Sequence, residues 1–183
     1  MIRLFDFIFS LIGLLLTMPI IILISIALLT ETRKPLFLQK RVGKDKKPFL
    51  IVKFRTMSEE TTSIATHLVS KSALNPFGSL LRKTKLDELP QLWNVLIGNM
   101  SLVGPRPNLF NQEELISARD SLNVYSVKPG ITGLAQINCI DMSSPDLLAK
   151  TDAAMISNMS FHLYFKYVFL TVFGKGRGDN VSL

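Results

Sequence analysis

The chain of 183 residues has one cysteine, two histidines and one tryptophan. A lone Cys139 allows no intrachain disulfide framework. His67 and His162 belong to no Cys/His cluster and no HExxH, so a structural zinc site is not expected. Charge is missing from residues 7–29, which hold no Asp, Glu, Lys or Arg. Acid is scarce in the next stretch. Of 21 Lys and Arg, nine fall within 33–55 (Arg33, Lys34, Lys40, Arg41, Lys44, Lys46, Lys47, Lys53 and Arg55), and only Asp45 opposes them there. A basic block pinned beside an apolar run reads as a contact for anionic lipid headgroups. Nucleic acid is the rival partner for a chain of net charge +7, but no nucleic-acid-binding signature is present, so none is expected.

The 23 uncharged residues of 7–29 would extend about 35 Å as a helix, enough to cross a bilayer core. The run is too long for a secretory signal, and it leads directly into the polar Thr30-Glu31-Thr32-Arg33-Lys34, so cleavage is not expected. Pro19 sits near its middle, removing one backbone hydrogen bond, and Thr17 is placed to satisfy a freed group. Two topologies fit: a kinked spanning helix, or a helix that breaks and returns to the same face. The basic flank is expected on the cytoplasmic side.

Further along, 35–41 and 48–55 lean to strand around the turn Val42-Gly43-Lys44-Asp45-Lys46-Lys47, which predicts a hairpin. Residues 58–72 read as a surface loop or weak helix. A short helix is expected over 78–84. A second is expected to be capped by Asp87, with Pro90 in its first turn, Leu89, Leu92, Trp93 and Leu96 at helical spacing, and Gly98-Asn99 at its end. Further helices are expected over 111–121, 145–157 and 160–173. Residues 129–133 read as a turn-rich loop. The last helix carries Phe161, Tyr164, Phe165, Tyr167, Phe169 and Phe173, which suits either a membrane interface or a core. The tail 174–179 reads as a flexible end able to touch phosphate.

The chemistry concentrates in Arg82-Lys83-Thr84-Lys85-Leu86-Asp87-Glu88-Leu89-Pro90-Gln91 and in Gly104-Pro105-Arg106-Pro107. A carboxylate can attack phosphorus, and a neighbouring one can share Mg²⁺ with substrate phosphates. Adjacent residues diverge on a regular helix, so Asp87 and Glu88 share one site only if the helix start departs from regular geometry. Arg82 and Arg106 are candidate phosphate clamps. Lys53 and Arg55, alternating out of a strand, would face either the membrane or the site.

With Lys53-Phe54-Arg55-Thr56-Met57 and Lys128-Pro129-Gly130-Ile131-Thr132-Gly133-Leu134-Ala135-Gln136-Ile137-Asn138 added, and the proline-broken N-terminus before them, the chain resembles the monotopic phosphoglycosyl transferases of the bacterial sugar transferase family. The resemblance implies an α+β fold: a small membrane-associated domain with a re-entrant helix-break-helix hairpin kinked at Pro19 over 1–32, and a cytoplasmic catalytic domain over 33–183 with a short β-hairpin and several amphipathic interfacial helices. It implies transfer of a sugar 1-phosphate from a UDP-sugar to undecaprenyl phosphate at the cytoplasmic face of a bacterial inner membrane, releasing UMP and initiating glycoconjugate assembly. Asp87 would be the nucleophile, and Glu88 would hold Mg²⁺ with it. Arg82, Arg106, Lys53, Arg55, Lys128 and Gln136 would bind substrate or phosphate. Membrane lipid and downstream glycosyltransferases are the implied partners. The exact sugar stays open, an N-acetylated hexosamine such as di-N-acetylbacillosamine, GalNAc or QuiNAc being expected first, and the larger relatives' additional membrane segments are not expected.

Three departures from the family pattern stand out. Met18 replaces a serine before the helix-breaking proline, Lys128 replaces an arginine, and Cys139-Ile140-Asp141 replaces Gly-Arg-Asn. The last change removes an arginine expected near substrate. It keeps a second reading alive, an inactive membrane scaffold that recruits glycosyltransferases.

Overall fold

A computed structural model describes residues 2–32, 34–57 and 76–174. The expected loop or weak helix at 58–72 and the tail at 175–179 lie outside the described residues.

The apolar run forms one helix, α1 (Ile2–Thr32), with Pro19 inside it. Thr17 Oγ1 donates to the Gly13 carbonyl at 2.7 Å. It therefore does not serve the Leu15 carbonyl, the acceptor that the proline nitrogen would otherwise reach. Leu15, Leu16 and Leu23 are 65%, 74% and 67% exposed. A helix so apolar and so bare needs a cover other than this domain.

Yet α1 touches the domain near both ends. Asp6, buried, accepts at Oδ1 from Ser101 Oγ, Leu102 N–H and Tyr164 O–H at 2.8–2.9 Å. Arg3 donates to the Val95 and Leu96 carbonyls, the C-terminal end of α3 (Gln91–Leu96), where a cation suits the helix dipole. Twenty residues on, Ile24 and Leu28 are buried with Phe54 and Leu81.

The hairpin forms as expected: β1 (Leu36–Val42) pairs antiparallel with β2 (Pro48–Phe54), Leu36 opposite Phe54. Next come α2 (Pro76–Thr84), a 3₁₀ turn at Leu86–Glu88, and α3. Asp87 does not cap α3, because that position falls to Pro90, which has no side-chain oxygen to offer. The face of α3 that enters the protein is also not the uniformly apolar one expected. Gln91, Asn94 and Val95 are buried while Trp93 is 52% exposed. Asn94 accepts from Val52 N–H at 3.0 Å and donates to the Leu50 carbonyl at 2.7 Å, serving β2 as a neighbouring strand would. Leu92 packs against Gly13 of α1.

The expected loop at 129–133 holds a strand. β3 (Ser101–Val103) and β4 (Gly130–Thr132) pair in parallel, Ser101 opposite Gly130 and Val103 opposite Thr132. A Cβ on Gly130 would lie 2.0 Å from the Gly104 nitrogen, and one on Gly104 would lie 2.5 Å from the Lys128 carbonyl oxygen. The two backbones meet where no side chain fits. The remaining helices are α4 (Glu113–Ser121), α5 (Leu134–Ile137), α6 (Pro145–Ser157) and α7 (Phe161–Val172). Phe49, Ile51, Val95, Met100, Val103, Met155, Tyr164 and Tyr167 form the main core. On α7 the expected alternatives divide between two faces: Tyr164 and Tyr167 are core, whereas Phe161, Phe165, Phe169 and Phe173 are 39–70% exposed. Phe5 and Phe9 of α1 stand edge-on to Phe165.

Gly130→Ala is expected to cost about 3 kcal/mol by overpacking. That is a fall of roughly 6–12 °C in the unfolding midpoint of the detergent-solubilised protein. An unchanged midpoint would mean the crossing can open without loss.

Candidate functional site

Lys85 takes a left-handed conformation, φ 58, between α2 and the 3₁₀ turn. Such a backbone costs energy for a non-glycine residue and persists only where its surroundings hold it. Here it redirects the chain so that Asp87 enters the protein, 7% exposed. Glu88 follows at the wider angular step of a 3₁₀ turn. Its Oε1 lies 2.9 Å from Lys53 Nζ and 3.7 Å from an Arg106 terminal nitrogen. Glu88 thus draws together β2, the 3₁₀ turn and the Pro105-Arg106-Pro107 loop.

Arg82 Nε donates to Thr56 Oγ1 at 2.8 Å, tying the end of α2 to the Lys53–Met57 motif. Gln91, at the start of α3, is buried. The structure therefore brings Lys53 and Arg106 to Glu88 from separated stretches, with Asp87 next to Glu88 in the chain and Arg82 tied to Thr56. Lysine and arginine beside two carboxylates make a site that can hold phosphate oxygens while leaving a carboxylate to attack.

The other expected site residues make different contacts. Arg55 Nε donates to the Lys34 carbonyl at 3.1 Å, and its guanidinium sits 5.7 Å from the Phe37 ring centroid. β2 ends at Phe54, so strand alternation no longer aims Arg55 with Lys53. Gln136 Nε2 donates to the Gly104 carbonyl at 3.1 Å, bracing the loop that carries Arg106. Lys128 lines a cavity with Arg3, Asp6 and Lys44. Among the altered residues, Cys139 adopts φ 56, a left-handed backbone that suits the family's glycine better. Ile140 packs on the Leu115, Ala135 and Leu148 cluster.

Sequence reasoning missed the support under Arg106. Arg119 and Asp152 are 1% and 0% exposed, and Arg119 Nε and a terminal nitrogen donate to Asp152 Oδ2 at 3.1 and 2.7 Å. The other terminal nitrogen donates to the Arg106 carbonyl at 2.9 Å and to Asn108 Oδ1 at 3.0 Å, and Tyr125 O–H donates to the same Oδ1 at 3.1 Å. Burial pushes the Asp152 carboxyl up, against the opposing pull of the Arg119 charge and hydrogen bonds. Burial likewise raises Tyr125, with Arg119 and Asn108 opposing. The only signal available beforehand was a charged pair, 33 positions apart, on two expected helices.

The bacterial sugar transferase family model matches residues 1–176. The uncharacterized sugar transferase EpsL of Bacillus subtilis is 42% identical over 172 residues, covering 93% of this chain and 84% of its own length. The UDP-glucose:undecaprenyl-phosphate glucose-1-phosphate transferase of Klebsiella pneumoniae is 40% identical over 182 residues, with 93% of this chain covered but 39% of the relative. A putative undecaprenyl-phosphate N-acetylgalactosaminyl 1-phosphate transferase of Bacillus subtilis is 42% identical over 108 residues, covering 57% of this chain and 60% of the relative.

Removing one partner of the Arg119–Asp152 pair strands a buried charge, so Arg119→Met is expected to cost about 3–5 kcal/mol. The double variant Arg119→Met/Asp152→Leu is expected to recover most of that loss in denaturant unfolding. A double variant as unstable as the sum of the singles would contradict the pairing.

Proposed function

The chain belongs to the bacterial sugar transferase family, and we propose that it moves a sugar 1-phosphate from a UDP-sugar to undecaprenyl phosphate through a covalent intermediate on Asp87. One observation carries the reading: a buried Asp87 beside a Glu88 that is held by Lys53 and faced by Arg106. An Asp87 carboxylate oxygen attacks the sugar-bearing phosphorus, and the bond from that phosphorus to the bridging oxygen breaks. UMP leaves with the electron pair, and the sugar phosphate stays on Asp87. A phosphate oxygen of the polyprenyl acceptor then attacks the same phosphorus, and the aspartyl–phosphorus bond breaks to return the carboxylate. Lys53, Arg82 and Arg106 balance phosphate charge, and the Glu88 ion pairs keep Lys53 and Arg106 aimed.

Among the described residues no group of three acids, cysteines or histidines could hold a metal by itself. The paired carboxylates suit Mg²⁺, which takes one or two carboxylates and completes its shell from substrate phosphates and water. Asp87 and Glu88 are the residues that would hold it, and bound Mg²⁺ would polarise the phosphate and offset its charge.

The sugar is not chosen by the family pattern. One relative is named for UDP-glucose and another for an N-acetylgalactosaminyl 1-phosphate, so the N-acetylated hexosamine expected from the resemblance stands beside glucose.

The membrane segment is read as re-entrant. Contacts to one domain at Arg3 and at Leu28 lie about 37 Å apart along a helix, more than the hydrocarbon thickness. A helix crossing the bilayer would carry one of those contacts to the far side. The catalytic face then lies at the membrane surface, and the exposed Phe161, Phe165, Phe169 and Phe173 stripe of α7 suits the interface.

Purified protein with Mg²⁺, undecaprenyl phosphate and a panel of UDP-sugars is expected to release UMP with one donor. Asp87→Asn is expected to lower that release by at least about 10³-fold, and chelation to stop it. Persistent release by Asp87→Asn would remove Asp87 from the mechanism.

Topology has its own readout. In a Cys139→Ser background, Leu4→Cys and Thr30→Cys are expected to react with a membrane-impermeant maleimide in inside-out vesicles alone. Labelling of either from the opposite side would establish a spanning helix.

A further inference from the structure

Four successive carbonyls, from Pro105 to Asn108, accept hydrogen bonds from separate donors. The Gly130 N–H donates to the Pro105 carbonyl at 2.9 Å and an Arg119 terminal nitrogen to the Arg106 carbonyl at 2.9 Å. An Arg41 terminal nitrogen donates to the Pro107 carbonyl at 3.2 Å, and the Val42 N–H to the Asn108 carbonyl at 3.0 Å. Pro105, Pro107 and Asn108 are buried, yet the stretch belongs to no helix or strand. Its two prolines lack the N–H that strand pairing uses, so its acceptors depend on donors brought from elsewhere in the fold.

Arg41 links this loop to the strand pair that carries Lys53. Phe37, Gln39 and Arg41 of β1 stand opposite Lys53, Ile51 and Phe49 of β2, so these side chains share one face of the hairpin. Ile51 and Phe49 are core, so that face enters the protein. From one end of it Lys53 reaches Glu88 Oε1 at 2.9 Å. From the other end Arg41 reaches the Pro107 carbonyl, while its second terminal nitrogen donates to Gln39 Oε1 at 2.6 Å. Two bonds in one plane fix the direction of a guanidinium in a way that a lysine could not match. Glu88 thus receives Lys53 from the hairpin directly, and Arg106 through a loop that the same hairpin holds. The Arg106 side chain stays 30% exposed, 3.7 Å from Glu88 Oε1. Its backbone is held while the side chain keeps room to turn toward an incoming phosphate.

We propose that Arg41 is a positioning residue for Arg106, holding the Pro107 carbonyl so that the Arg106 guanidinium meets Glu88 and the donor's phosphate in one place. The effect on turnover rests on the transfer reading given above. The hold of Arg41 on the loop does not, and it is measured separately.

Steady-state UMP release by the full chain in detergent gives kcat/KM for the UDP-sugar. Arg41→Ala is expected to lower it at least about tenfold, since a displacement of about 1 Å in a positioned group costs up to roughly 10²-fold. In an Arg106→Ala background the same change is expected to cost less than about twofold more, because the group that Arg41 places is gone. An equal loss in both backgrounds, or an Arg41→Ala enzyme as fast as the wild type, would overturn the assignment. Amide hydrogen exchange, followed by mass spectrometry without substrate, reads the loop itself. Peptides carrying the Arg106 and Asn108 amides are expected to exchange at least about tenfold faster in Arg41→Ala, with α6 exchanging as in the wild type. Unchanged exchange in the loop would overturn the proposal, and so would faster exchange throughout, the mark of a general support. If the wild type releases no UMP with any donor, the transfer reading falls and exchange alone decides whether Arg41 holds the loop. Exchange also decides if Arg106→Ala is too slow to follow. Arg41→Lys, which keeps the charge and loses the fork, carries both measurements if Arg41→Ala does not fold.

Discussion

The contact between the backbones of Gly104 and Gly130 is the constraint around which this protein is arranged. With no side chain on either, the Gly104 N–H reaches the Thr132 carbonyl at 2.8 Å and the Gly130 N–H reaches the Pro105 carbonyl at 2.9 Å. This contact closes the short parallel pair of β3 and β4 and sets the direction in which the chain leaves β3. Pro105 and Pro107 then restrict the backbone on either side of Arg106. Gln136 braces the Gly104 carbonyl from one side, and the buried Arg119–Asp152 pair holds the Arg106 carbonyl from another. Arg106 meets Glu88 from a frame with little freedom.

The buried charges do different work at the two ends of the molecule. A buried ion pair is weak ground for stability, since an apolar pair of the same volume often serves as well. Arg119 is better understood by what its remaining nitrogen holds, a loop that presents a cation to the dyad. Asp6 does the corresponding task for the membrane segment. One of its carboxylate oxygens joins α1 to β3 and α7, so the apolar helix packs on the elements that follow it. Burial and the neighbouring Asp6 push the Tyr164 hydroxyl well above its ordinary range, so it remains a donor to that carboxylate.

Much of this was legible in the sequence where a local rule applied. The hairpin followed from two β-leaning runs around a glycine-containing turn, and helices were expected where α2, α4, α6 and α7 lie. The dyad and its cations were legible as residue types, and Lys53 proved to reach Glu88. Misreadings came where the surroundings decide. The periodic apolar face of α3 showed that a face was covered, but not by what: Leu92 meets α1, while Val95 enters the core together with the polar Gln91 and Asn94. β3 and β4 are three residues each, too short to alternate visibly. Arg55 alternates with Lys53 on paper, but the strand ends between them. The Arg119–Asp152 pair, formed only when α4 meets α6, could not be separated from ordinary surface charge.

Covalent transfer requires the Asp87 carboxylate to carry the sugar phosphate between the two substrates. Intact-mass measurement of the protein mixed with its UDP-sugar and Mg²⁺, with no lipid acceptor present, addresses that directly. A mass gain equal to one sugar phosphate, mapped to the peptide carrying Asp87 and discharged by adding undecaprenyl phosphate, is the expected result. Protein that turns over donor and acceptor at full rate but never gains that mass, even when quenched within a single turnover, would contradict it and require direct transfer between the two substrates.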